Sequence, residues 1–179
     1  SVRGRPCHVE TQGCTMNPQM YEELEAAAFA ALPALEPEET LSGWRLRFSK
    51  GCTKRANSAN STLTSTDLTT DQIADIEQRY RQRGLPPIFR ITSLWTTGNI
   101  DNTLAQRGYQ LVDPSWVMAL PALRTPVTET PLKTMNIDSW GAEFIRITGS
   151  ASSEHETHLQ MLRLIKGQCA FVMEHLDDV

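Results

Sequence analysis

The stretch Gly43-Trp44-Arg45-Leu46-Arg47-Phe48-Ser49-Lys50-Gly51 decides the fold. Apolar Trp44, Leu46 and Phe48 alternate with Arg45, Arg47 and Ser49, the period of two that sends successive side chains to opposite faces of a strand. One face is therefore apolar and the other basic. Trp44 and Phe48 are expected in the core, with Arg45 and Arg47 facing solvent or a groove. Gly51 marks a turn, and residues 53–61 return as a second extended segment, so a β-hairpin with an unusually polar second arm is predicted.

Working outward toward the C-terminus, Thr69-x-x-Gln72 is a capping-box pattern, opening a helix on which Ile73, Ile76 and Tyr80 share one face. Asp75/Arg79 and Glu77/Arg81 pair along its other sides, and Gly84 ends it. Pro86-Pro87 forces extension into a short strand over 88–91, and residues 99–107 form a helix closed by Gly108. Residues 109–120 read as a last strand or a broken pair, interrupted at Pro114, with Trp116 in the core. Toward the N-terminus, Asn17-Pro18 reads as an N-cap with proline at the first helical position. Tyr21, Leu24 and Ala28 follow at helical spacing to an end near Pro33, and residues 36–39 are a polar loop. Residues 1–16 lack an apolar period and read as a loosely ordered extension.

These elements predict an α/β (α+β) fold with a mixed, mainly antiparallel sheet flanked by helices over residues 17–122. Residues 123–138, with Pro126, Pro131 and several threonines, have a linker's composition. Residues 139–179 read as the start of a second, incomplete unit: a short helix with Trp140, Phe144 and Ile147, a helix opened by Ser153-x-x-Glu156, and a strand over 169–173. No return strand follows Asp177-Asp178. That strand is expected to be disordered or to dimerise with a second copy.

A chain of 179 residues that is 40% hydrophobic, with a net charge of −4, has the composition of an ordinary globular protein and not of a nucleic-acid binder. Its apolar stretches are too short to span a bilayer. Cys7, Cys14, Cys52 and Cys169 form no C-x-x-C pair, so a zinc ribbon is excluded, and reduced thiols in a cytoplasmic protein are expected. The sequon Asn60-Ser61-Thr62 falls in a strand and reads as coincidence. His155-Glu156-Thr157-His158 is one residue short of H-E-x-x-H and has no evident third ligand, so it reads as a solvated helix surface and no metal is assigned.

Arg45, Arg47, Lys50, Lys54 and Arg55 crowd two adjoining strands, where they attract an anionic group or form a solvated face balanced by nearby acids. Asn57, Ser58 and Asn60 are residue types depleted from strands. They line an acceptor pocket or satisfy a bend, and Arg55, Asn57 and Ser58 are the substrate-binding candidates. Cys52 beside Lys54 is a weak nucleophile candidate because no histidine adjoins it.

Four stretches together resemble the N-terminal half of two-part GNAT acetyltransferases, over residues 44–118. They are Gly43-Trp44-Arg45-Leu46-Arg47, Thr53-Lys54-Arg55-Ala56-Asn57-Ser58, Gly84-Leu85-Pro86-Pro87-x-Phe89-Arg90-Ile91 and Leu104-x-x-Arg107-Gly108-Tyr109. The resemblance implies acetyl transfer from acetyl-CoA, as cosubstrate of the parent protein, to an amine on a small molecule or peptide. It names no catalytic base. The family binds the CoA pyrophosphate with backbone N–H groups of an Arg/Gln-x-x-Gly-x-Gly/Ala loop at a helix start. No Gly-x-Gly or Gly-x-Ala is read at such a loop, so no cofactor-binding residue is assigned. The chain alone is not expected to bind acetyl-CoA, and a C-terminal GNAT unit is the expected partner. The alternative is a non-catalytic, degenerate half acting as a structural or interaction module.

Overall fold

The computed structural model describes residues 18–92, 94–95, 98–116, 134–149 and 152–172. Helix α1 (Pro18–Ala30) leads into a hairpin of β1 (Glu39–Leu41) and β2 (Trp44–Leu46). A single 3₁₀ turn (Lys54–Ala56) precedes β3 (Ala59–Asn60), after which α2 (Thr70–Gln82) crosses to β4 (Phe89–Arg90) and α3 (Ile100–Gln106) follows. The four strands lie in the order β1-β2-β3-β4, antiparallel except for the parallel β3–β4 pair. Further along, β5 (Thr134–Met135), α4 (Ile137–Thr148), α5 (Ser152–Arg163) and β6 (Phe171–Val172) form a separate helical hairpin beside a two-stranded antiparallel pair.

Local chemistry explains these elements. The β1–β2 turn holds Ser42 and Gly43 both at positive φ, 49° and 78°, as a two-residue hairpin loop matched to the strand twist requires. A Cβ on Gly43 would lie 2.1 Å from Thr64 O, so no other residue fits. Thr69 and Gln72 make the expected capping box on α2, with Gln72 N–H donating to Thr69 Oγ1 and Thr69 N–H to Gln72 Oε1. Ile73, Ile76 and Tyr80 of α2 are fully buried against Trp44, Leu46, Phe48 and Ala59 of the sheet. Trp44 and Phe89 meet edge to face at 5.9 Å, and the Trp44 indole N–H donates to Thr66 O at 2.9 Å. Burial of this kind stabilises by about 25 cal/mol per Å² of apolar surface, and this is where the core lies.

Several expectations are corrected. Residues 36–39, expected as a loop, run into β1 at Glu39. Residues 109–116 contain no strand, and 117–120 lie outside the described residues. Trp116 is 74% exposed and is not a core residue, because Asp113 at φ 50° and Pro114 carry the chain off the sheet. Residues 134–138 of the expected linker are β5 and the first turn of α4. The terminal strand has a partner on one edge within the chain, Phe171 and Val172 lying opposite Met135 and Thr134, while residues 173–179 lie outside the described residues. Finally, Arg47 is completely buried and His155 nearly so.

Candidate functional site

The sheet has two unlike faces. Its register sets Thr40, Arg45, Asn60 and Arg90 in one row across all four strands. By pleat alternation this row points away from the Trp44/Leu46 core face, toward α1. Arg90 makes a bidentate pair with Glu25 of α1 at 2.7 and 2.9 Å, while the Arg45 guanidinium lies over the Phe29 ring at 4.6 Å. Glu25 and Phe29 are one helical turn apart. Asn60, between the two arginines in the row, is fully buried. Its amide donates to Ser58 O at 2.7 Å, and the Ser58 hydroxyl donates to its Oδ1 at 3.4 Å. The sequon asparagine is therefore covered.

Arg47 is the deepest charge in the molecule's described residues. Its guanidinium donates to Glu38 Oε1 at 2.8 Å, to Arg55 O at 3.2 Å, and to Phe29 O and Leu32 O at the end of α1. Burial lowers its pKa from the ordinary value, against the opposing pull of Glu38. The Tyr80 hydroxyl accepts from Arg47 N–H and donates to Arg47 C=O, at 3.3 and 3.2 Å. The alternation that put Arg47 opposite the apolar face holds. What covers that face is α1, not solvent.

Of the substrate-binding candidates, Arg55 is exposed, whereas Asn57 and Ser58 are buried. Asn57 braces the 49–58 loop: its Oδ1 accepts from the N–H groups of Ser49 and Gly51 at 2.7 and 3.0 Å, and its Nδ2 donates to Thr53 O. Ser58 and Asn60 are buried and hydrogen-bonded to each other, and Arg55 is left at the outer end of the loop. The same loop touches α5, with the Cys52 thiol 3.6 Å from Glu154 O and Lys50 Nζ 3.5 Å from Gln160 Oε1. Burial, then the Glu154 charge, pushes the Cys52 thiol up, opposite to what a nucleophile needs.

A shallow cleft of about 440 Å³ opens between the last turn of α2 and the end of α3, lined by Glu77, Arg81, Pro87, Arg107, Gly108 and Tyr109. Glu77 accepts from Arg81, Arg107 and the Tyr109 hydroxyl. Burial alone would raise its pKa, but those donors outweigh it and hold the carboxyl below its usual range. Burial and then Glu77 push the Tyr109 phenol up. Sequence reading paired Glu77 with Arg81 and placed Arg107 and Tyr109 in a stretch of the acetyltransferase resemblance, but gave no sign that these two, on a separate helix end, meet Glu77.

A family model described as "Probable histone acetyltransferase Rv0428c C-terminal" matches residues 21–113, just over half of the 179 residues. The chain belongs to this family. Comparisons with curated proteins and with solved structures returned no match. The Rv0428c C-terminal family region takes in α1 from Tyr21, the four-stranded sheet, α2, α3 and the Glu77 cleft, while α4, α5, β5 and β6 lie beyond it. Acetyltransferase relationship is thus the level of identity that the match supports. The family's description places its region at a C-terminus, where the resemblance implied an N-terminal half.

Outside the family match, residues 146–151 spell R-I-T-G-S-A, the Arg-x-x-Gly-x-Ala spacing that the sequence expectation held absent, and α5 opens directly behind them. The setting differs from a phosphate loop. A helix, α4, leads into it where a strand is required, and the Gly149 N–H caps α4 by donating to Ile145 O. Residues 150 and 151 lie outside the described set. On α5, His155 packs against Phe144 at 5.2 Å with Nε2 3.4 Å from Thr148 Oγ1, so it is no solvated surface residue. Burial and then His155 lower the His158 pKa. Among the described residues no three His, Cys, Asp or Glu side chains group to hold a metal ion, and no helix is long and apolar enough to cross a membrane.

Proposed function

We propose that this chain is part of a GNAT-like N-acetyltransferase that moves an acetyl group from acetyl-CoA to an amine, and that the 17–122 region serves the acceptor side. The family match over 21–113 carries this reading, because its description names a probable histone acetyltransferase. The acceptor side is favoured over the cofactor side by the helix starts. At α2 the Gln72 N–H is taken by the Thr69 hydroxyl, and the Thr69 N–H by the Gln72 side chain. At α3, a Cβ on Gly98 would meet the Asp67 carboxylate at 2.0 Å, an anion where a phosphate would have to sit. The acceptor would meet Arg55 at the loop's outer end, and Ser58 and Asn60, buried in the closed structure, only when α1 moves off that face. In such a transfer the amine loses a proton and attacks the thioester carbonyl, releasing CoA as thiol.

A second reading, a non-catalytic module, is favoured by one observation: the substrate candidates Asn57 and Ser58 are buried and hydrogen-bonded within their own loop and sheet. Calorimetry with acetyl-CoA, a lysine-bearing peptide and a small diamine separates the readings. For the acceptor-side reading, an amine binds measurably and Ser58→Ala weakens it, while acetyl-CoA binds more weakly than about 100 μM. Absence of any amine binding favours the module. Acetyl-CoA binding tighter than that and lost in Gly149→Val would move the cofactor site to residues 146–151.

A further inference from the structure

Helix α1 covers the sheet without joining its core. The apolar cluster of Trp44, Leu46, Phe48, Ala59, Leu68, Ile73, Ile76, Tyr80, Leu85, Ile100 and Leu104 contains no residue of α1. Phe29 alone of the helix's side chains with described exposure is buried, and the groups against its ring are the guanidiniums of Arg45 and Arg47, at 4.6 and 4.9 Å. Met20 and Leu24 are 44% and 48% exposed. The rest of the helix is largely alanine and glutamate. Among the described residues the directed contacts on α1 are mainly polar: the Glu25–Arg90 fork and the Arg47 bonds to Phe29 O and Leu32 O, beside an edge contact of Tyr21 on Trp95 at 6.5 Å.

We propose that α1 is a hinged lid over the polar face of the sheet, opening as a unit while the sheet and α2 stay folded. Arg47, fully buried, pins the C-terminal end of α1 and forms the hinge. The Glu25–Arg90 fork, with side chains 17% and 30% exposed, is the latch. Opening removes little apolar surface from contact, so its free-energy cost is set by a few polar bonds and lies well below that of global unfolding. It bares the face on which Ser58 and Asn60 are buried, between the Arg45 and Arg90 guanidiniums, whose side chains are already 37% and 30% exposed. Water reaches the latch, so salt weakens it. The lid concerns α1 alone and stands whether or not the acetyltransferase reading does.

Hydrogen exchange read by mass spectrometry on the full chain tests the lid, comparing the peptides of α1 and α2. The α1 amides should exchange about tenfold or more faster than those of α2, and Glu25→Gln should speed α1 about tenfold further with α2 unchanged. Raising salt from about 0.05 to about 0.5 M should quicken α1 alone. The swap Glu25→Arg with Arg90→Glu should return α1 toward the wild-type rate. Equal rates in the two helices that rise together, or an α1 unmoved by Glu25→Gln, would overturn the proposal. A swap as fast as the single variant would overturn the latch.

Discussion

Helices α1 and α2 are both 13 residues long and lie on the two faces of one small sheet, yet they are held by different physics. Against α2 the sheet presents Trp44, Leu46, Ala59 and Phe89, and α2 answers with Ile73, Ile76 and Tyr80. Against α1 it presents Arg45, Arg47, Asn60 and Arg90, and α1 answers with one carboxylate, one ring and one main-chain carbonyl, with Leu32 O just beyond its end. Apolar contact is non-directional and grows with area, so the α2 side resists partial opening. Polar contact is directional and few-membered, and water can replace it. One side of the sheet therefore supplies stability and the other supplies access.

The largest effect that would break this contrast lies on the α2 side. Trp44→Ala should cost about 3 to 5 kcal/mol in chemical denaturation through lost burial and an unfilled cavity, whereas Arg45→Ala, one residue on and facing α1, should cost under about 1. Similar losses for the two would erase the distinction between the faces. Next comes Arg47→Met, which keeps the bulk but removes the donor of the Leu32 and Arg55 carbonyls and one of the two donors of the Phe29 carbonyl. It should cost about 2 kcal/mol and free α1 from its hinge, read as faster exchange in α1 than in any other helix. A loss shared evenly by α1 and α2 would show that Arg47 belongs to the global core.

The smallest expected effect sharpens the α2 side by pH. The Glu77 carboxyl is held below its ordinary range in the folded chain, so between that depressed value and the unfolded one the unfolded state binds more protons. The stability Glu77 contributes is fully present above the ordinary carboxylate range. It fades as pH falls through that range to the depressed folded value. Denaturation midpoints followed from about pH 6 to about pH 3 should fall less steeply in Glu77→Gln than in wild type. Parallel slopes would show that Arg81, Arg107 and Tyr109 do not favour the charged form of Glu77.

Much of α2 and its sheet face was legible in advance because the signals are local. The capping box spans four residues, the Ile73/Ile76/Tyr80 face repeats at helical spacing, and Trp44, Leu46 and Phe48 alternate. The candidate site was legible only in part. Asn57 and Ser58 stood out as polar residues in an extended segment, but nothing nearby in sequence says that Asn57 ties its own loop or that Ser58 is buried. The missing strand β1 had a signal in the Ser42-Gly43 turn, masked by the polar run of glutamates before it.

From the sequence alone came the α/β class, the caps and turns, the two-faced alternation of Trp44 to Phe48, and a resemblance to acetyltransferases. Each rests on geometry repeated within a few residues, where backbone period and side-chain type suffice. Only the tertiary structure decided that Arg47 is a buried hinge, that Arg107 and Tyr109 converge on Glu77, that β6 finds its partner in β5, and that Trp116 lies open to water. A period of two tells which way a side chain points but not what waits there. Phe29 is 18 residues from Arg47, and Tyr109 is 32 from Glu77. Whether a polar face meets water or a helix is set by how distant segments close on it.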